Sequence, residues 1–154
     1  MTDRLLIRTD GASRDNPGPA SAGAVLIDAT RPDAADPDAP PLSVVSRPLG
    51  VQTNNVAEYT ALLLALREAR RLGATEIDVR LDSKLIVEQL HGRWRVKDAK
   101  LKTLFAEAQE LLAGFEQWDA AHEPRATNRA ADALANLALD DPAAAARLEA
   151  KYRE

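Results

Sequence analysis

The periodicity of the apolar residues changes partway along this chain, and that change limits the folds open to it. Up to residue 49 the apolar residues come in short runs broken by Gly, Pro and Asp; from residue 55 they recur at helical spacing. Leu5, Leu6 and Ile7 form one run in residues 4–9, Ala22–Asp28 a second around Val25, Leu26 and Ile27, and Val44 and Val45 centre a third over residues 42–49. The turn-rich DGASRDNPG separates the first two, which therefore read as a hairpin. Between the second and third lies residues 29–41, rich in Pro, Asp and Ala, which reads as a long, mobile surface loop. Pro48 leaves the end of the third strand undefined.

Residues 55–72 then place Ala57, Ala61, Leu62, Ala65, Leu66 and Ala69 on one helical face, with Gly73 as a stop. Residues 76–81 alternate Ile77, Val79 and Leu81 with polar residues, a strand pattern that runs into Asp82-Ser83. Helical patterns follow at 84–91, 101–115 and 128–138, with a short strand at 117–121. Three antiparallel strands followed by helix-strand-helix-strand predict an α/β fold: a five-stranded mixed sheet, three strands antiparallel and two parallel, flanked by helices. Sheets of this kind carry ligand sites beyond the carboxyl ends of their parallel strands. That places Asp10, read as sitting where the first strand stops, near Asp82.

The chain has 154 residues, 45% of them hydrophobic, which suits one core. Its division is expected at 1–140, a catalytic domain, and 141–154, a helical or frayed tail. The absence of cysteine excludes disulfides, thiolate metal sites and thiol nucleophiles, so a metal would need oxygen or imidazole ligands. No apolar run approaches the ~20 residues of a membrane span, and the N-terminus lacks a signal layout, so a cytoplasmic protein without membrane contact is expected. The net charge of -4 decides little, because a carboxylate cluster that holds cations would account for it.

Four acids from separate segments stand out: Asp10, Glu58, Asp82 and Asp132. Each has an ordinary structural reading. Asp10 before Gly11 suits a turn. Asn55 and Glu58 have capping-box spacing. Asp82-Ser83 can cap the next helix, and Asp132 is a first-turn acid favoured by the helix dipole. Placement argues for more. Two acids at strand ends and two on early helical turns can converge at one end of the sheet, where their mutual repulsion calls for a cation. With oxygen ligands only, Mg²⁺ is the natural occupant, with Mn²⁺ as a substitute. A pair of such ions suits phosphodiester cleavage.

Four stretches carry a resemblance: TDGASRDNPGPASAG at 9–23, TNNVAEYTALLLAL at 53–66, LDSKLIVEQL at 81–90 and HEPRATNRAADALAN at 122–136. Together they resemble the type 1 ribonucleases H, over residues 5–139, and LHGRWRVKDAKL at 90–101 resembles the short link of the compact subgroup without a basic protrusion. The resemblance implies a ribonuclease H-like fold and hydrolysis of the RNA strand of RNA/DNA hybrids, leaving 5′-phosphate and 3′-hydroxyl ends. It implies that Asp10 bridges two Mg²⁺ ions bound with substrate, that Glu58 and Asp82 complete one metal site, and that Asp132 helps hold the other. His122 matches a loop histidine assigned to proton transfer or product release; His91 has no such match and is left structural. Gly11, Asn16, Asn54 and Asn55 are the implied substrate contacts, since such an enzyme must test 2′-hydroxyls at short reach.

Arg93, Trp94, Arg95, Lys97, Lys100 and Lys102 form a basic stretch suited to phosphates of the DNA strand, or to an ordinary solvated face. Three departures are visible: the insertion-like 29–41 segment, Lys84 where some members carry a substrate-contacting glutamine, and the glycine-free HEPRATN. A monomer is expected. A hybrid- or double-stranded-RNA-binding module without cleavage, and a DNA nuclease on the same fold, are the alternative readings.

Overall fold

The computed structural model describes residues 3–154. In chain order the elements are β1 (Arg4–Ser13), β2 (Gly18–Asp28), β3 (Ser43–Gln52), α1 (Asn54–Arg71), β4 (Glu76–Leu81), α2 (Lys84–Leu90), α3 (Ala99–Ala113), β5 (Gln117–His122), a 3₁₀ turn (Arg125–Thr127), α4 (Arg129–Asp140) and α5 (Pro142–Tyr152). One five-stranded sheet has the order β3-β2-β1-β4-β5. The first three strands are antiparallel, and β4 and β5 run parallel to β1. This is the mixed sheet expected from the sequence.

α1 covers one face, where Leu5, Ile7, Leu62, Leu66, Ile77, Val79 and Leu81 build the main core. Thr53 caps the helix, its side chain accepting from the Val56 N–H at 3.3 Å. Burying Leu62 and Leu66 contributes about 1.5–3 kcal/mol each, against about 1 for such a cap, so packing on the sheet outweighs the cap in fixing α1. On the other face α4 lies across β2 and β3, and α5 packs on β3 and α4.

Three expectations change. β1 does not stop at Asp10: it pairs with β2 as far as Ser13, while its parallel pairing with β4 ends at Thr9↔Leu81. Asp10 therefore lies inside a strand yet just beyond the end of β4, and Gly11 is a strand residue rather than part of a turn. β3 likewise continues through Pro48 to Gln52, because it is an edge strand where a missing N–H is tolerated, with a register irregularity between Ala20 and Ser21.

The 29–41 segment is anchored rather than loose. Ala34 and Ala39 are buried in a second core with Leu6, Val25, Ile27, Val44 and Leu134, and the Arg8 guanidinium donates to the Ala35 carbonyl at 2.9 Å. Its abundance of polar residues concealed two small apolar ones that seal this face of the sheet. Among the described residues no helix is long and apolar enough to cross a membrane.

Candidate metal centre

Because β4 ends one position short of Asp10, the ends of the central strands leave an opening into which side chains from three elements project. Asp10 comes from β1, Asp82 from the residue after β4, and Glu58 from the second turn of α1. One carboxylate oxygen from each lies within 4.8 Å of the others.

Close backbone packing brings Glu58 there. A Cβ on Gly11 would overlap the main chain of Ala57 and Glu58, so glycine alone lets α1 start against β1. The Gly11 N–H donates to the Glu58 carboxylate. The capping-box reading of Glu58 is corrected: Thr53 caps α1, which leaves Glu58 a full turn inside the helix and unused as a cap. Asp82 is freed in the same way, since Ser83 supplies the cap of α2 by accepting from the Ile86 N–H at 3.3 Å.

Asp132 reaches the cluster from α4. Small residues on β2 and β3 set that helix close to the sheet: a Cβ on Gly23 would overlap the backbone of Ala131, and Ser21 of β2 and Ser46 of β3 donate to the Ala135 and Leu134 carbonyls, each at 2.6 Å. Asp132 stands at the rim rather than in the trio, in hydrogen-bonding contact with Asp10. It does occupy the first turn of α4, as its helix-dipole reading requires.

The electrostatics are those of an anionic site without enough compensation. Burial, the charge of Asp82 and contact with Asp132 push the Asp10 carboxyl up to about 8, with Arg125 opposing. Burial, then Asp82 and Asp10, drive Glu58 well above the usual carboxylate range, with the Gly11 N–H opposing. Burial also raises Asp82, against the nearby Arg125. Glu58 Oε2 is sealed from solvent with no hydrogen-bond partner. A buried carboxylate oxygen lacking any donor, beside two further carboxylates and with no soft ligand near, fits a hard divalent cation.

Arg125, which sequence reasoning passed over, is the counter-charge: its Nη2 lies 3.6 Å from Asp132 Oδ1, and it acts on Asp10 and Asp82. Its position in HEPRATN, between His122 and Asp132, was the only signal available. His122 sits at the exposed end of β5 with Nε2 3.2 Å from the Asp82 carbonyl, at the edge of the site. His91 is remote, its Nε2 2.6 Å from the Ala120 carbonyl and its ring stacked on Trp118.

The asparagines interlock two loops beside the cluster. Asn16 Oδ1 accepts from the Asn54 N–H at 3.0 Å, and Asn54 Oδ1 accepts from the Ser13 N–H at 3.1 Å. Both acceptors are thereby used internally. Asn55 is exposed in the first turn of α1. In the basic stretch Arg93 is held by Glu88, Lys100 Nζ by Gln52 at 3.0 Å, and the exposed Trp94 ring carries Lys84 Nζ at 5.9 Å from its centroid.

Comparison with known proteins agrees with this architecture. Residues 8–138 match the family model described as reverse transcriptase-like. Ribonuclease HI of Halobacterium salinarum is 46% identical over 132 residues, 86% of this chain and 62% of that protein. The crystal structure of that archaeon's RNase H1 superposes with a TM-score of 0.82 at 45% identity, over 90% of this chain and 98% of that one. LC11-RNase H1, solved in complex with an RNA/DNA hybrid, superposes with a TM-score of 0.80 at 37% identity, again over 90% and 98% of the two chains. A bifunctional protein of Mycobacterium tuberculosis is 44% identical over 96% of this chain, which spans only 38% of it. The chain thus covers less than two thirds of the length of these curated relatives. With the sheet order, the placement of the acids and these matches in agreement, the chain belongs to the type 1 ribonuclease H family.

Proposed function

We propose that this chain is a divalent-metal-dependent endonuclease that hydrolyses the RNA strand of RNA/DNA hybrids, leaving 5′-phosphate and 3′-hydroxyl ends. The observation that carries the reading is the convergence of Asp10, Glu58 and Asp82 within 4.8 Å, with Asp132 alongside. The solved hybrid complex of LC11-RNase H1 supports the substrate class.

Asp10, Glu58 and Asp82 would hold one Mg²⁺, and Asp10 with Asp132 a second that arrives with substrate; Mn²⁺ suits the same oxygens. Bound there, the ions supply Lewis acidity to the attacking water and to the departing oxygen. The protein's own groups do the rest. Gly11, buried against the main chain of Ala57 and Glu58, seats the start of α1 so that the Glu58 carboxylate joins the other acids. The amides of Asn16 and Asn54, with Asn55, face the ribose side, where the 2′-hydroxyl distinguishes RNA from DNA. His122, held at the Asp82 carbonyl, exchanges a proton with the leaving group or the released product. Arg125 moderates the repulsion among the acids and faces incoming phosphate.

The test is cleavage of an end-labelled hybrid across a Mg²⁺ titration, with double-stranded DNA and double-stranded RNA in parallel. Wild type should cut only the RNA of the hybrid, and Asp10→Asn should leave it intact. Binding without cleavage at millimolar Mg²⁺ would instead support a recognition module, and preferential cutting of DNA would overturn the substrate assignment.

A further inference from the structure

Arg8 is among the largest fully buried side chains, 1% exposed, on a strand where it directly follows the apolar run Leu5, Leu6 and Ile7. It lies on the same face of β1 as Asp10, two residues ahead of it. A guanidinium in such a place is poor value for stability alone, because desolvation offsets most of what its ion pair returns. Its Nη1 is even left without a partner. The bonds it does make point to another role.

Arg8 Nε lies 3.2 Å from both Oε1 and Oε2 of Glu123, and Nη2 donates to the Ala35 carbonyl at 2.9 Å. Glu123 is the first residue after β5, next to His122 and two before Arg125. Its own N–H donates to the Leu81 carbonyl at 2.8 Å, so its backbone is fixed by β4 and its side chain by β1. Five residues further on, the buried Asn128 donates from Nδ2 to the Thr9 carbonyl at 2.8 Å. Three successive residues of β1 thus serve one end of the molecule. Arg8 holds the start of the β5-to-α4 segment, Thr9 holds its finish, and Asp10 supplies the carboxylate that the segment overlooks.

We infer that Arg8 and Glu123 form a buried strut that sets the position of His122 and Arg125 over the acidic cluster, making Arg8 a positioning residue for the reaction. The inference rests on the nuclease reading above. It also gives the 29–41 segment a purpose, since the Ala35 carbonyl fixes the far end of the guanidinium and so its orientation. A lysine cannot replace it: one ammonium on a flexible stem lacks the planar fork that reaches two carboxylate oxygens and a carbonyl together.

The experiment uses the whole chain, labelled RNA/DNA hybrid and Mg²⁺. Arg8→Lys and Glu123→Gln should each lower kcat about tenfold to hundredfold, the cost of misplacing groups by a fraction of an ångström to an ångström, with KM within about twofold. Placed on a His122→Ala/Arg125→Ala background, the same substitutions should cost no further kcat, because the groups they position are gone. In the protein without substrate, backbone amides of residues 122–128 should exchange with solvent at least about tenfold faster in Arg8→Lys, while those of β1 and β2 stay as in wild type. Unchanged kcat, losses that multiply in full on the double background, or unchanged exchange at 122–128 would each overturn the strut. Failure of the wild type to cut hybrid would count against the nuclease reading instead, and the exchange rates would then decide the strut alone.

Discussion

Gly11 on β1 and Glu58 on α1 meet main chain against main chain: the glycine has no room for a Cβ, and its N–H donates to the glutamate's carboxylate. This contact seats a helix residue at a strand edge and so assembles the acidic trio. Gly11→Ala should push the first turns of α1 away from the sheet. Overpacking of this kind costs about 1–3 kcal/mol, and displacement of Glu58 should cut cleavage about a hundredfold. Thermal melts and hybrid-cleavage rates read the two effects. An alanine variant as active as wild type would show that α1 can give way without moving the carboxylate.

Stability without metal should depend on pH in a sense opposite to ordinary acid denaturation. Asp10 is pushed from its usual 3.8 up to about 8 by burial and by Asp82. Between those values the folded chain holds a proton that the unfolded chain releases, so folding weakens as pH rises through the window. In chelator the melting temperature should fall between about pH 5 and pH 8, by about 2–4 °C for each kcal/mol lost. Millimolar Mg²⁺ should restore it, and Asp10→Asn should flatten the profile while abolishing cleavage. A metal-free melting point that does not change with pH would contradict the crowding of these acids.

Glu68 should behave in the opposite way. Burial alone would raise its carboxyl, but hydrogen bonds from Arg71 and Ser43, with the charge of Arg153, outweigh it and bring the group from 4.5 to about 2. Its stabilising contribution is complete above about pH 4.5 and is lost as pH falls toward 2. Arg153 reaches Glu68 at 2.9 Å from the end of α5, so the same cluster fastens that helix to α1 and β3. Glu68→Gln should lower the melting temperature at neutral pH, with the gap to wild type closing near pH 2. A gap that persists there would mean that the loss comes from packing.

Hybrid binding should weaken with salt in proportion to the phosphates that are met. Arg93 is engaged by Glu88 and Lys100 by Gln52, whereas Arg95, Lys97 and Lys102 are exposed. Each of these three that meets a phosphate should reduce the slope of log affinity against log salt by about 1 when replaced by alanine. Arg93→Ala should change it less. Equal slopes for all four variants would make the stretch a solvated face.

Much of this protein was legible from residue order alone, because strands and helices leave local periodicities. The three strand runs, the long helix through Leu62 and Leu66, and the strand ending at Leu81 all appear in the structure, with small shifts at their ends. Two of the acids were legible by their offset from an element boundary: Asp82 just past a strand and Asp132 in a helix's first turn.

What the sequence could not supply depended on contacts between distant residues. That Asp10 lies within β1 follows from β2 continuing alongside it after β4 has stopped, a matter of unequal partner lengths that no local pattern records. The 29–41 segment looked loose because its polar residues outnumber the two alanines that the second core takes in. Arg8 sits in a strand as an unexplained charge until folding brings Glu123, 115 positions away, against it. Local order fixes which elements form and roughly where they end; only the assembled sheet with its helices, by desolvating particular groups and leaving others exposed, decides which charges must find each other.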